Sequence, residues 1–152
     1  MQTPDGTCDN CLAISAGSVV LPEFNLWAVL AAALSAFVLG GLWYSPILFG
    51  RAWQREVGLS EAELAKGNMA MIFALAFALS LLAAFVFALF LGPKPPLTFA
   101  TGAGFAAGSC WVAASFGINY LFARRSLKLF CIDGGYHTLQ FTLIGAVLGL
   151  WH

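Results

Sequence analysis

Three long stretches of this chain carry no Asp, Glu, Lys or Arg: residues 24–50, 67–93 and 95–123. A fourth, residues 134–152, begins directly after Asp133. A helix needs about 20 predominantly apolar residues to cross the hydrocarbon core of a bilayer, and each run is of that order. A soluble helical core this apolar would have almost no polar face to turn to water. Composition agrees. Of 152 residues, 61% are hydrophobic and 9% charged, with a mean hydropathy of +0.86. Soluble domains carry roughly 25% charged residues. The expected fold class is therefore all-α: a transmembrane four-helix bundle, with spans near 24–45, 69–91, 98–122 and 129–151. Residues 1–23 are read as an extracytoplasmic tail, and residues 24–152 as the membrane domain.

The basic residues set the orientation. Arg51, Arg55 and Lys66 lie between the first two spans, and Arg124, Arg125 and Lys128 between the last two. Lys94 alone falls in the remaining connection. An excess of Lys and Arg marks the cytoplasmic side. The expectation is a multi-pass protein of the cell (inner) membrane with both termini outside. The first fifty residues have no Lys or Arg, so no secretory signal with a basic flank is read there. Nothing resembles a nucleic-acid footprint.

Between spans one and two, Pro46 interrupts the helix. The mix of Ile47, Phe49, Trp53 and Val57 with Arg51, Gln54, Arg55 and Glu56 predicts a short amphipathic helix on the cytoplasmic surface. Gly58 suits its end, and Ser60 with Glu63 forms a capping-box pattern that opens another helix. Span two has Ser80 as its lone hydroxyl and reads as a lipid-exposed scaffold. Span three holds Gly104 and Gly108, and span four holds Gly145 and Gly149, each pair a G-x-x-x-G. Such spacing lets helix backbones approach closely, within one bundle or between copies. A faint internal echo links GLWY at 41–44 with GINY at 117–120. Parallel repeats would explain it, as would aromatic residues shared by two membrane interfaces.

Polar residues cluster in span four. Asp133, Tyr136, His137 and Gln140 share one helix face by their spacing. Asp133 lies about 7–8 Å inside the cytoplasmic end, at a depth shared with Asn119 on span three. Asp133 and His137, at i and i+4, are spaced to touch. In one reading these residues form a ligand- or proton-binding site: Asp133, His137 and Asn119, supported by Tyr136, Gln140, Tyr44 and Trp43. That reading makes the protein a small carrier or channel-like protein for a proton, cation or small solute. In the other, Asp133 bonds Asn119, Tyr120, Tyr44 or Trp43 and fixes helix register, as in a structural or accessory membrane protein packed on a partner or on itself. Gly134 and Gly135 allow either a broken helix around a ligand or room for a bulky neighbour such as Trp43. No hydrolase, metalloprotease or phosphate-loop motif is present. No cofactor and no catalytic residue is assigned, a metal is left unspecified, and an enzyme is the less favoured class. The expected partners are lipid, a membrane protein or a second copy, without nucleic acid. Cys8 and Cys11 form a C-x-x-C suited to a disulfide in an outside compartment. Cys110 and Cys131 read as small buried apolar residues.

GLWYSPILFGRAW, residues 41–53, resembles the signature of the family of small membrane proteins called domain of unknown function 1761. SLKLFCIDGGYH, residues 126–137, resembles that family's C-terminal segment. The resemblance covers roughly residues 24–151 and leaves out the cysteine-bearing tail. It implies four membrane helices and no assigned activity, and brings no catalytic residue to this chain.

Overall fold

A computed structural model of the chain describes residues 25–151. The tail of residues 1–23, its Cys8 and Cys11, and His152 lie outside the described residues. Every regular element among those described is helical. Helix α1 spans Leu26–Trp43, α2 Gly50–Val57, α3 Glu61–Ala65, α4 Met69–Leu91, α5 Leu97–Ala106, α6 Ala114–Phe122 and α7 Leu127–Leu150. A π-helical segment, Ala107–Ala113, joins α5 to α6 without a break.

Local chemistry sets these boundaries. Asn25 accepts the backbone N–H groups of Trp27 and Ala28 and so opens α1. Pro46 keeps α1 from continuing, and the chain turns over residues 44–49. Gly50 closes the turn by donating its N–H to the Ser45 carbonyl at 2.9 Å. A side chain at Gly50 would collide with the Tyr44 carbonyl. Gly58, at φ 80°, ends α2 in the left-handed conformation that glycine adopts freely. Ser60 and Glu63 form the expected capping box. Asn68 caps α4 and Ser126 caps α7.

Among the described residues, three helical stretches are long and apolar enough to cross a membrane: Leu26–Trp43, Met69–Leu91 and Leu97–Phe122. Helix α7 has 24 residues, so it is about 36 Å long, ample for a bilayer. Asp133, His137 and Gln140 lower its apolar character below that of the other three.

Helix α7 is the organising element. It packs against α5 and the π segment on one side and against α1 on another, while α4 packs chiefly on α1. The shared core is built of small residues: Ala28, Ala32, Ala33 and Ala36 on α1, Ala84 and Ala88 on α4, Ala100 and Ala107 on span three. Ile144 and Leu148 fill it from α7. Between α5 and α7 the backbones themselves touch. Gly104 lies against the Phe141 carbonyl and Gly145 against the Ala100 carbonyl. A Cβ at Gly108 would stand 2.6 Å from the His137 carbonyl oxygen, and one at Gly149 2.9 Å from the Leu97 Cα. Both G-x-x-x-G pairs are thus used on a single interface inside the chain, in antiparallel register.

The π segment is absent from the sequence-based expectation, and it aims the second half of span three. The residues facing α7 run Gly104, Gly108, Ala113, Gly117 and Tyr120. Steps of three or four are interrupted by one step of five at the π turn. An added residue rotates the remainder of the helix by about 100°. Without it, Tyr120 would not face α7. Cys110 and Cys131 are exposed on the outer helix surfaces, not buried as the sequence suggested. Apolar surroundings along a membrane span do not tell which face meets protein and which meets lipid.

Candidate functional site: a carboxyl group held by two tyrosines

Asp133 is 5% exposed. Its Oδ1 accepts the Tyr44 hydroxyl at 2.8 Å, and its Oδ2 accepts the Tyr120 hydroxyl at 2.5 Å. Tyr44 follows directly on α1, Tyr120 belongs to α6, and Asp133 to α7. One carboxyl group therefore ties three helices. Hydrogen bonds to charged groups are worth about 1.5–3 kcal/mol each, and an unmade one in a buried place costs the full desolvation of the group. Beside this clasp, the Trp43 indole N–H donates to the Ile132 carbonyl at 3.0 Å. Gly135 makes room for that indole: a Cβ there would be 3.4 Å from Trp43 Cζ2. Gly134 meets Ala113 and Phe130. Helix α7 is continuous through both glycines. They serve packing, and no break opens around a ligand.

The two clasping tyrosines occupy matching positions in the internal echo, GLWY and GINY. The repeated tyrosine thus reaches Asp133 from two segments, the end of α1 and α6. The sequence presented this as a resemblance between segments; the geometry makes it a pair of donors converging on one acceptor.

The i,i+4 contact expected between Asp133 and His137 is not a hydrogen bond. The Asp133 oxygens turn to the tyrosines, and His137 Nδ1 instead meets Gln140 Oε1 at 2.9 Å. The His137 ring stacks on Phe116, centroids 4.7 Å apart, and leans on Tyr136 at 4.9 Å. Tyr136 in turn meets the Tyr44 ring edge-on at 5.2 Å, with its hydroxyl end beside Gly40. Phe116 contacts Tyr120 at 5.8 Å. Five rings, Tyr44, Tyr136, His137, Phe116 and Tyr120, thus form a chain whose two ends meet at Asp133. Gln140 is buried and completes its bond with His137.

Asn119 is not brought to this cluster. It is exposed on the outer side of α6, and its Nδ2 donates back to the Ser115 carbonyl at 3.0 Å. Equal depth along two helices does not imply a shared face, and the π turn sends Tyr120 rather than Asn119 toward Asp133. Phe116 and the π segment were missed by sequence reasoning; the echo held a signal for Tyr120.

A second contact docks α2 against the start of α7. Glu56 accepts the Ser126 hydroxyl at 2.5 Å and pairs with Lys128 at 3.4 Å. The Ser126 hydrogen bond, with help from Lys128, holds the Glu56 carboxyl below the usual carboxylate range. The capping-box bonds do the same for Glu63. Among the described residues, no group of three or more His, Cys, Asp or Glu is placed to hold a metal ion.

Comparison with known proteins adds one decisive observation. The family described as "Protein of unknown function (DUF1761)" matches residues 27–149. The chain belongs to the DUF1761 family. The DUF1761 match contains Tyr44, Tyr120, Asp133, His137 and Gln140, so the clasp lies inside the family's domain. No curated protein and no solved structure matches the chain. A DUF1761 assignment with apolar helices fits a membrane protein of unknown activity.

Proposed function

We propose that this DUF1761 protein is a non-enzymatic structural or accessory membrane protein, and that Asp133 serves as a clasp fixing the register of its helices. The observation that carries this reading is the state of Asp133: 5% exposed, with each oxygen bonded to a tyrosine from a different helix. A binding site for a travelling ion needs a carboxyl group with open valence and a wet approach. The described clefts lie elsewhere, one of about 80 Å³ by Asn25, Leu91 and Trp151 at the far end of the bundle, the other on the outer face of α6. In this reading α7 is the fourth span, crossing the bilayer because its polar residues are bonded within the bundle. The positive-inside rule places α2, α3 and the α6–α7 turn in the cytoplasm of a cell (inner) membrane, with the chain's two ends outside. Partners are lipid, a second copy or another membrane protein.

A second reading, a small carrier, draws on the five rings around Asp133. Aromatic faces with a carboxyl group suit an organic cation. Such a ligand would have to displace both tyrosine hydroxyls. The two readings separate in vesicles reconstituted with the full-length protein, with a trapped pH-sensitive dye to read protons and isotope uptake to read potassium and tetraethylammonium. Under imposed proton, potassium and tetraethylammonium gradients, the clasp reading expects no flux above empty vesicles. A flux present in wild type and abolished by Asp133→Asn would sink it and favour the carrier.

A further inference from the structure

The outer face of α6 and the π segment sets polar side chains on an exposed, apolar helical stretch. Helix α6 buries none of its residues. Trp111 is 62% exposed, and Ser115 and Asn119 are exposed beside it, around a surface notch of about 310 Å³. Trp111 lies eleven residues before Phe122, about 16 Å along the helix and so near mid-bilayer. Indoles belong at membrane interfaces, where their N–H group finds water. The Trp111 indole N–H and the Asn119 Oδ1 have no hydrogen-bond partner among the described residues. The neighbouring hydroxyls differ: Ser109 and Ser115 each satisfy themselves on a carbonyl one turn back. Only one amide hydrogen of Asn119 is used, on the Ser115 carbonyl. A polar group left unpaired in hydrocarbon is costly.

The glycine pairs that would ordinarily draw two copies together are consumed between α5 and α7. Any self-association must use another face. We infer that this face, Trp111–Ser115–Asn119, is where a second copy of the chain docks within the bilayer. The inference rests on the packing role proposed above and names its partner. The complementarity is specific. Asn119 offers one free donor and one free acceptor, so two such amides can pair reciprocally. Copies inserted with the same orientation present Asn119 at the same depth, and a two-fold axis along the membrane normal brings like to like. The notch between Trp111 and Phe116 receives apolar side chains of the opposing helix.

The test is energy transfer between full-length proteins carrying donor or acceptor dyes on an added N-terminal tag, in lipid vesicles over a range of protein-to-lipid ratios. Wild type is expected to associate saturably. Asn119→Leu removes both bonds of the reciprocal pair and should require a roughly eight-fold or greater increase in density for half-association, from about 0.6 kcal/mol or more per interhelical hydrogen bond in membranes. Asn119→Gln, which keeps the amide, should stay nearer wild type. Leu79→Ala, at an exposed position of α4, should change nothing. Wild type showing only random-proximity transfer at every density, or Asn119→Leu associating as tightly as wild type, would overturn the inference. Either failure leaves the clasp to be judged separately, because clasp variants are read by unfolding stability rather than by association.

Discussion

Replacing Gly108 by alanine tests the close packing of span three on α7. The added Cβ would lie 2.6 Å from the His137 carbonyl oxygen and 2.7 Å from the Thr138 Cα. Ordinary contact begins at 3.4 Å, so the separation must grow by 3.4 − 2.6 = 0.8 Å. Both obstructing atoms are backbone, and no flexible side chain can yield in their place. The neighbouring contacts at Gly104, Gly145 and Gly149 lie on the same interface and would loosen together. Overpacking of this kind costs about 1–3 kcal/mol. Gly102 supplies the internal control, six residues away on the same span. A Cβ there meets nothing within 4 Å. Gly102→Ala should be neutral or gain up to about 1 kcal/mol from the helix preference of alanine over glycine. The two variants therefore differ in sign as well as size. Reversible unfolding in mixed micelles, with rising mole fraction of dodecyl sulfate and helix content as the readout, measures both. Gly108→Ala and Gly102→Ala unfolding at the same denaturant fraction would refute backbone-to-backbone packing between the π segment and α7.

Single contacts elsewhere carry their own expectations. Trp43→Phe removes the indole bond to the Ile132 carbonyl and should lower unfolding stability by about 1 kcal/mol in the same assay. Gly50→Ala drives a side chain into the Tyr44 carbonyl and should undock α2, seen as faster tryptic cleavage at Arg51 and Arg55; unchanged cleavage would argue against a tight turn there. Glu56 has a folded pKa below its unfolded one, so its anchoring of α2 is complete above the ordinary carboxylate range and is lost as pH falls through the lowered value. The protection of α2 amides, taken relative to the intrinsic exchange rate at each pH, should accordingly fall at acid pH in wild type, and Glu56→Gln should show the reduced protection already at neutral pH.

The apolar runs made the helices legible because charge is so costly in hydrocarbon that its absence over about 20 residues has few other meanings. The cap at Ser60 and the stop at Gly58 were readable for a similar reason: few residue types satisfy those backbone positions. Asp133 was recognisable as a polar centre of the bundle, yet its partners were only half so. The spacing to His137 suggested a pair, but spacing along one helix ignores competition from donors on other helices, and two tyrosine hydroxyls won. Asn119 faces away from the cluster because depth along a helix does not fix its face, and the π turn rotates everything after Ala113. No residue in AGSCWVA, 107–113, announces that turn. The tyrosine echo was visible as a pattern, and only convergence in space gave it a meaning.

The clasp itself is tested most directly by unfolding free energies of Tyr44→Phe, Tyr120→Phe and the double variant, each made in the wild-type and in the Asp133→Leu background. With the carboxyl group present, each phenylalanine should cost about 1.5–3 kcal/mol, since it deletes only the hydroxyl that bonds an Asp133 oxygen. With Leu at position 133 those costs should shrink toward zero, because the hydroxyls then have no carboxyl group to hold. Equal costs in the two backgrounds, or no cost in either, would contradict a carboxyl group that ties three helices.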